Sequence, residues 1–125
     1  MSKQRWQDEP EEHDFPAAGE YLSLLLSEAA AAASVEALAS ADTVYRKAKD
    51  LMRASGLPLL PEDNPHVAKD LKAVARGGLL SPVLLVRGRA MTGMPLIVAD
   101  GYHRICASYH LDENARIPCR LVDLP

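Results

Sequence analysis

The sequence predicts a small α/β domain, of α+β type, in which helices pack on a small mixed sheet. Three observations carry this. Apolar residues recur at three and four in the first half of the chain, the mark of helix. Short apolar runs of strand type, Ser81–Val86, Pro95–Ala99 and Ile117–Val122, fill the second half. Between the last two lies Tyr102–Leu111, a helix-length segment opened by a Gly turn.

Each element follows in order. Residues 1–15 are acidic, contain Pro10 and lack apolar periodicity, so a flexible tail is expected there, followed by one domain over 16–125. Asp14-Phe15-Pro16 marks a helix start. Leu22, Leu25, Leu26, Ala29 and Ala33 then lie on one helical face. A break at Ser40–Asp42, with Asp42 as cap, predicts a second helix over Thr43–Ala54, ended by Gly56 and Pro58. These two helices form an N-terminal part, 16–55, and the rest, 56–125, forms the core of the domain. Leu57–Pro61 is an apolar connector that two prolines bar from a central strand. Asn64-Pro65 is a helix N-cap with Pro at the first helical position, and Val67, Leu71 and Val74 are the buried face. Gly77-Gly78 ends this helix. The stretch 87–94 is a polar turn between two strands, so a hairpin is expected. Pro118 assigns the last strand to a sheet edge.

Composition narrows the function. The chain has 125 residues, 48% of them apolar but only 5% aromatic, so it can bury one aliphatic core. Residues 1–43 carry nine acids against Lys3 and Arg5, whereas 44–125 carry twelve bases against eight acids. The second part suits an anionic small ligand and is too weakly basic for direct DNA binding. No apolar run is long enough for a membrane span. Cys106 and Cys119, with no signal-peptide pattern, point to a reduced, cytoplasmic protein.

The chemistry concentrates at Asp100-Gly101-Tyr102-His103-Arg104. Gly101 lets a ligand approach the backbone. The first N–H groups of the following helix are unpaired and its dipole makes that end positive. His103 and Arg104 add donors, which makes an anion site suited to phosphate. Asp100 reads equally as a base or Mg²⁺ ligand beside that phosphate and as a turn residue. Glu62 is a second candidate acid–base group, although with Asp63 it also suits a helix N-terminus. His103, Cys106 and His110 fall at i, i+3 and i+7, a spacing that invites a metal, but no fourth ligand is evident and Cys106 sits in apolar company. The expectation is no metal site. Lys47, Lys49 and Arg53 read as a solvated face.

The step Gly78-Leu79-Leu80-Ser81-Pro82-Val83, the turn Gly101-Tyr102-His103-Arg104 with Ala107 behind it, and the closing Ile117-Pro118-Cys119-Arg120-Leu121 together resemble the ParB N-terminal/sulfiredoxin superfamily over residues 56–122. The resemblance implies a core that binds nucleoside triphosphates or related phosphates, with Gly101, His103 and Arg104 at the phosphate-contacting turn; the expected binding residues are Gly101, Tyr102, His103 and Arg104, and the expected cofactor is a nucleoside triphosphate with Mg²⁺. It also has departures. Sulfiredoxins carry a catalytic Cys where this chain has Tyr102, which argues against sulfinic-acid reduction. Partition proteins carry Gly-Glu-Arg-Arg where this chain has Gly-Tyr-His-Arg, and further domains for which 125 residues leave no room. The leading expectation is a module that binds a nucleotide or another phosphorylated small molecule. The alternatives are a small Mg²⁺-dependent phosphotransferase or nucleotide hydrolase, and a non-catalytic protein-interaction domain.

Overall fold

The computed structural model describes residues 4–125, and within them five helices pack on one four-stranded mixed sheet. The elements are α1 Asp14–Leu22, α2 Glu28–Ser40, β1 Thr43–Lys47, α3 Ala48–Ser55, α4 Pro65–Ala75, β2 Val83–Val86, β3 Ile97–Asp100, α5 Tyr102–Leu111 and β4 Arg116–Val122. The sheet order is β1-β4-β2-β3. β2 and β3 form the expected antiparallel hairpin. α5 then crosses over so that β4 lies parallel to β2, on the side away from β3.

β2 is buried along its whole length, as its unbroken Val-Leu-Leu-Val run implies. Leu84 and Val86 join Ile97 and Ala99 against Ala18, Leu22, Ala31 and Leu38 of α1 and α2. Val83 and Leu85 face the other way, to Ala48, Leu51 and Ile105 of α3 and α5. The period of two along a strand thus divides one apolar run between two helical layers. α4 packs outside α5, where Val67 meets Cys106 and Ala107. The Asn64 carboxamide accepts from the N–H groups of His66 and Val67, so the predicted cap is present. Arg120 is buried, and its Nη1 donates to the carbonyls of Leu38 and Ala39 at 3.1 and 3.2 Å. A cation there offsets the negative end of α2.

Four expectations are corrected. The first helical face is split between two helices, because Ser27 caps a new one by accepting from Ala30 N–H. Leu22 stays buried, Leu25 is exposed, and α2 buries Ala31, Ser34 and Leu38 instead. Thr43–Lys47 is a strand, not helix: it pairs antiparallel with β4, and its Thr-Val-Tyr run favours that geometry over helix. β4 is an inner strand, not an edge. Pro118 is tolerated because its stretch pairs with β1 alone, and β2 joins only from Cys119 onward.

The fourth correction concerns the tail. Beyond residues 1–3, which lie outside the described residues, it is docked. Leu80 N–H donates to Arg5 O, and Gln7 N–H to Leu80 O. Trp6 packs partly buried on the cluster around Ile105, and Asp14 begins α1 with a buried carboxylate. A single large indole supplies the apolar area that the acidic composition hides. Trp6→Ala is therefore expected to cost about 1–2 kcal/mol, less than a fully buried Trp. Urea unfolding should show a lower midpoint at unchanged slope. An unchanged midpoint would mean that the segment contributes no stability.

No helix among the described residues is long and apolar enough to cross a membrane.

Candidate functional site

β3 delivers Asp100 to the sheet end, and Gly101 turns the chain with φ +107° into α5. Few residues other than Gly adopt this conformation. A Cβ on Gly101 would also stand 2.5 Å from Val83 Cγ1. The first helical bond of α5 runs from Ile105 N–H to Gly101 O at 3.0 Å, so the N–H groups before it have no acceptor within the helix.

α4 lies across this helix start and presents His66, Lys69 and Asp70. With Asp100, Gly101, His103 and Arg104 they enclose a polar cleft of about 200 Å³. The rings of His66 and His103 stand 4.6 Å apart, tilted by 41°. Burial holds His103 below the ordinary imidazole value, and the neighbouring His66 adds to this. Burial also raises the Asp70 carboxyl, against the pull of Arg104, His103, Lys69 and His66.

Arg104 does not project outward as a free clamp. Its Nη2 donates to Asp100 Oδ2 at 3.0 Å and to Pro82 O at 3.2 Å. Both side chains are more than four-fifths buried, and Arg104 Nε is buried without a partner among the described residues. Asp100 is nevertheless raised: desolvation outweighs Arg104, and Asp14 approaches from α1 as a second acid. Asp14 itself accepts Glu11 N–H at 3.0 Å, which ties the N-terminal segment to the back of the site. Arg104 and Asp100 thus form the floor of the cleft, while Lys69, His66 and His103 form its walls.

The other predicted residues lie elsewhere. Glu62 is exposed in the turn before α4 and does not line the cleft. Tyr102 turns away, and its hydroxyl donates to Pro58 O at 2.5 Å. His103, Cys106 and His110 do not bring ligand atoms together: Cys106 is in the core and His110 Nε2 lies 2.7 Å from Leu60 O. Both thiols are buried; Cys106 is raised and Cys119 is pushed up to about 12, so neither is a nucleophile at neutral pH. Glu11, His13 and Asp14 do cluster, a group that the Glu11 N–H bond to Asp14 and the approach of His13 to both carboxylates already explain.

The sequence reading missed His66, Lys69 and Asp70. Their i, i+3, i+4 spacing from a clear N-cap puts them on one helical face, turned from Val67 and Val74. That face was legible, but its meeting with His103 requires the α4–α5 packing.

No family model, curated protein or solved structure matches this chain. The donor set itself is informative. One ammonium, two imidazoles, a helix N-terminus and the Asp70 carboxyl surround a cavity whose own arginine is already occupied by Asp100. Such a set suits an anion with several oxygen atoms.

Proposed function

We propose that the cleft binds the phosphate group of a nucleotide or another phosphorylated small molecule, as the ParB/sulfiredoxin resemblance implies. One observation carries this reading: α4 brings His66 and Lys69 to the α5 start, opposite His103, around one polar cavity. In this reading Lys69 supplies the charge, the imidazoles and the helix N–H groups supply directed bonds, and Gly101 keeps the approach open. Arg104 acts through Asp100 by fixing the turn.

Calorimetric titration with ATP, AMP and inorganic phosphate, with and without Mg²⁺, tests the proposal. Lys69 is exposed, so Lys69→Ala should fold normally and bind about tenfold more weakly, the scale of about 1.4 kcal/mol for one charge-assisted bond. Binding of the dianion should also take up a proton, because His103 is held below the ordinary imidazole value and a bound dianion raises it, so titration enthalpies should differ between buffers of different ionisation heat. Equal binding by Lys69→Ala, or no binding by any of the three, overturns the reading.

Asp70 favours a second reading, the Mg²⁺-dependent phosphotransferase or nucleotide hydrolase. A half-buried carboxylate with a raised pKa, facing a phosphate cleft, suits a base or an ion ligand. Asp70→Asn separates the two. In a binding module it removes repulsion and tightens phosphate severalfold. In an enzyme it abolishes nucleotide turnover.

A further inference from the structure

A second cavity, of about 350 Å³, lies between α3, α5 and the connector Leu57–Pro61, apart from the polar cleft. Its floor is apolar: Met52, Leu57, Leu59 and Tyr109. Its rim is charged, with Lys49 and Arg53 one helical turn apart on α3.

Both flanks are fixed. Tyr102 hydroxyl bonds Pro58 O and His110 Nε2 bonds Leu60 O, so α5 holds the connector at alternate residues. Leu57 and Leu59, two apart, both face the cavity between those anchors. Across it, the carbonyls of Glu113 and Ala115 accept from Lys49 and Ala48 N–H, which holds the loop after α5 against the start of α3. The cavity is therefore organised before any ligand arrives, which lowers the ordering cost of binding. Leu59 remains 40% exposed within it, a large aliphatic side chain between the anchored residues Pro58 and Leu60.

The two cations differ. Lys49 Nζ is 3.5 Å from Asp50 Oδ1, whereas Arg53 makes no ion pair among the described residues. Glu113 also lines the cavity, so with Asp50 the rim is balanced in formal charge and Arg53 is its unpaired cation among the described residues. We infer that this cavity is a binding site for a small organic carboxylate with an apolar body. Arg53 takes the carboxylate, whose two oxygens match its planar fork. The aryl or acyl body lies on Leu57, Leu59, Met52 and Tyr109. A volume of this order is within the range of small-molecule pockets.

The probe is 2-naphthoate, titrated into isotopically labelled protein and followed by amide shifts. Saturable shifts are expected in α3, the connector and residues 109–113. The neutral 2-naphthamide should bind at least tenfold more weakly. Arg53→Glu should lose at least tenfold in affinity while melting as wild type, since its side chain is exposed. Leu59→Ser should also weaken binding. Arg76→Glu, at the exposed end of α4, should bind normally. Four results overturn the inference: no saturation, equal binding of acid and amide, unchanged affinity in Arg53→Glu, or shifts centred on His66 and His103. The last would place the anion in the polar cleft, and loss of phosphate binding there leaves this site untouched.

Discussion

Gly101→Val is expected to lower stability by about 3 kcal/mol or more, from backbone strain at positive φ added to overpacking. The collision is with the core and not only with a ligand: the new Cβ would stand 2.5 and 2.8 Å from Val83 Cγ1 and Cβ, and 3.0 Å from Arg104 Nη2. Val83 is fully buried in the centre of the sheet and cannot move aside. Gly93 provides the control, because it has φ +75° but open space where a Cβ would go. Gly93→Ala should cost about 1–2 kcal/mol, the conformational part alone. Gly101→Ala should cost more than that, and Gly101→Val the most, with a melting point lower by on the order of 10 °C. Equal effects at the two glycines would remove the Val83 contact from the account. A Gly101→Val protein that melts as wild type would show that the turn is not held by the core.

This turn is also where the sequence was most legible. Local signals placed it: an apolar strand, Asp-Gly, then a helix running from Tyr102 to Leu111 as expected. The Asn64-Pro65 cap and the β2–β3 hairpin are legible for the same reason, since each is decided within a few residues. What the sequence hid depends on partners far along the chain. Thr43–Lys47 is five residues long, too short for periodicity to separate strand from helix, and its pairing with β4 decides the matter. Pro118 signals an edge correctly for three residues of a strand that becomes internal at Cys119. Trp6 carries no local signal, because Leu80, its partner, is seventy-four positions away. In the cleft, the α5 half was legible from Gly101-Tyr102-His103-Arg104. The α4 half was not, because polar residues on a helix face carry no address until a second helix lies across them. Arg104 is the instructive case. Its place at a helix start suggested a free cation, but a side chain four residues after an acid can fold back on it, and here it does.

Arg104→Ala should therefore be a stability mutation whose cost depends on pH. The guanidinium is the cation bonded to Asp100, whose carboxylate already faces Asp14 and desolvation. Removing it leaves a largely buried acid without its partner, at an expected cost of about 3 kcal/mol near neutral pH. The sign of the pH dependence follows from Asp100. Its folded pKa lies above the ordinary 3.8, so the folded state holds the proton more tightly than the unfolded one. Its contribution is most favourable below 3.8 and is lost as pH rises through the folded value. Without Arg104 that value moves further up, so the loss extends over a wider range towards neutrality. The stability difference between wild type and Arg104→Ala should accordingly be small at about pH 4 and grow up to about pH 7, as read from urea midpoints. Asp100→Asn supplies the second arm: with a neutral amide at 100, adding Arg104→Ala should cost less than it does alone, and the pH dependence of that cost should flatten. Additive effects, or a cost of Arg104→Ala that is the same at both pH values, would show that the pair is not coupled. Arg104 would then be available to a ligand, as its position in the sequence first suggested.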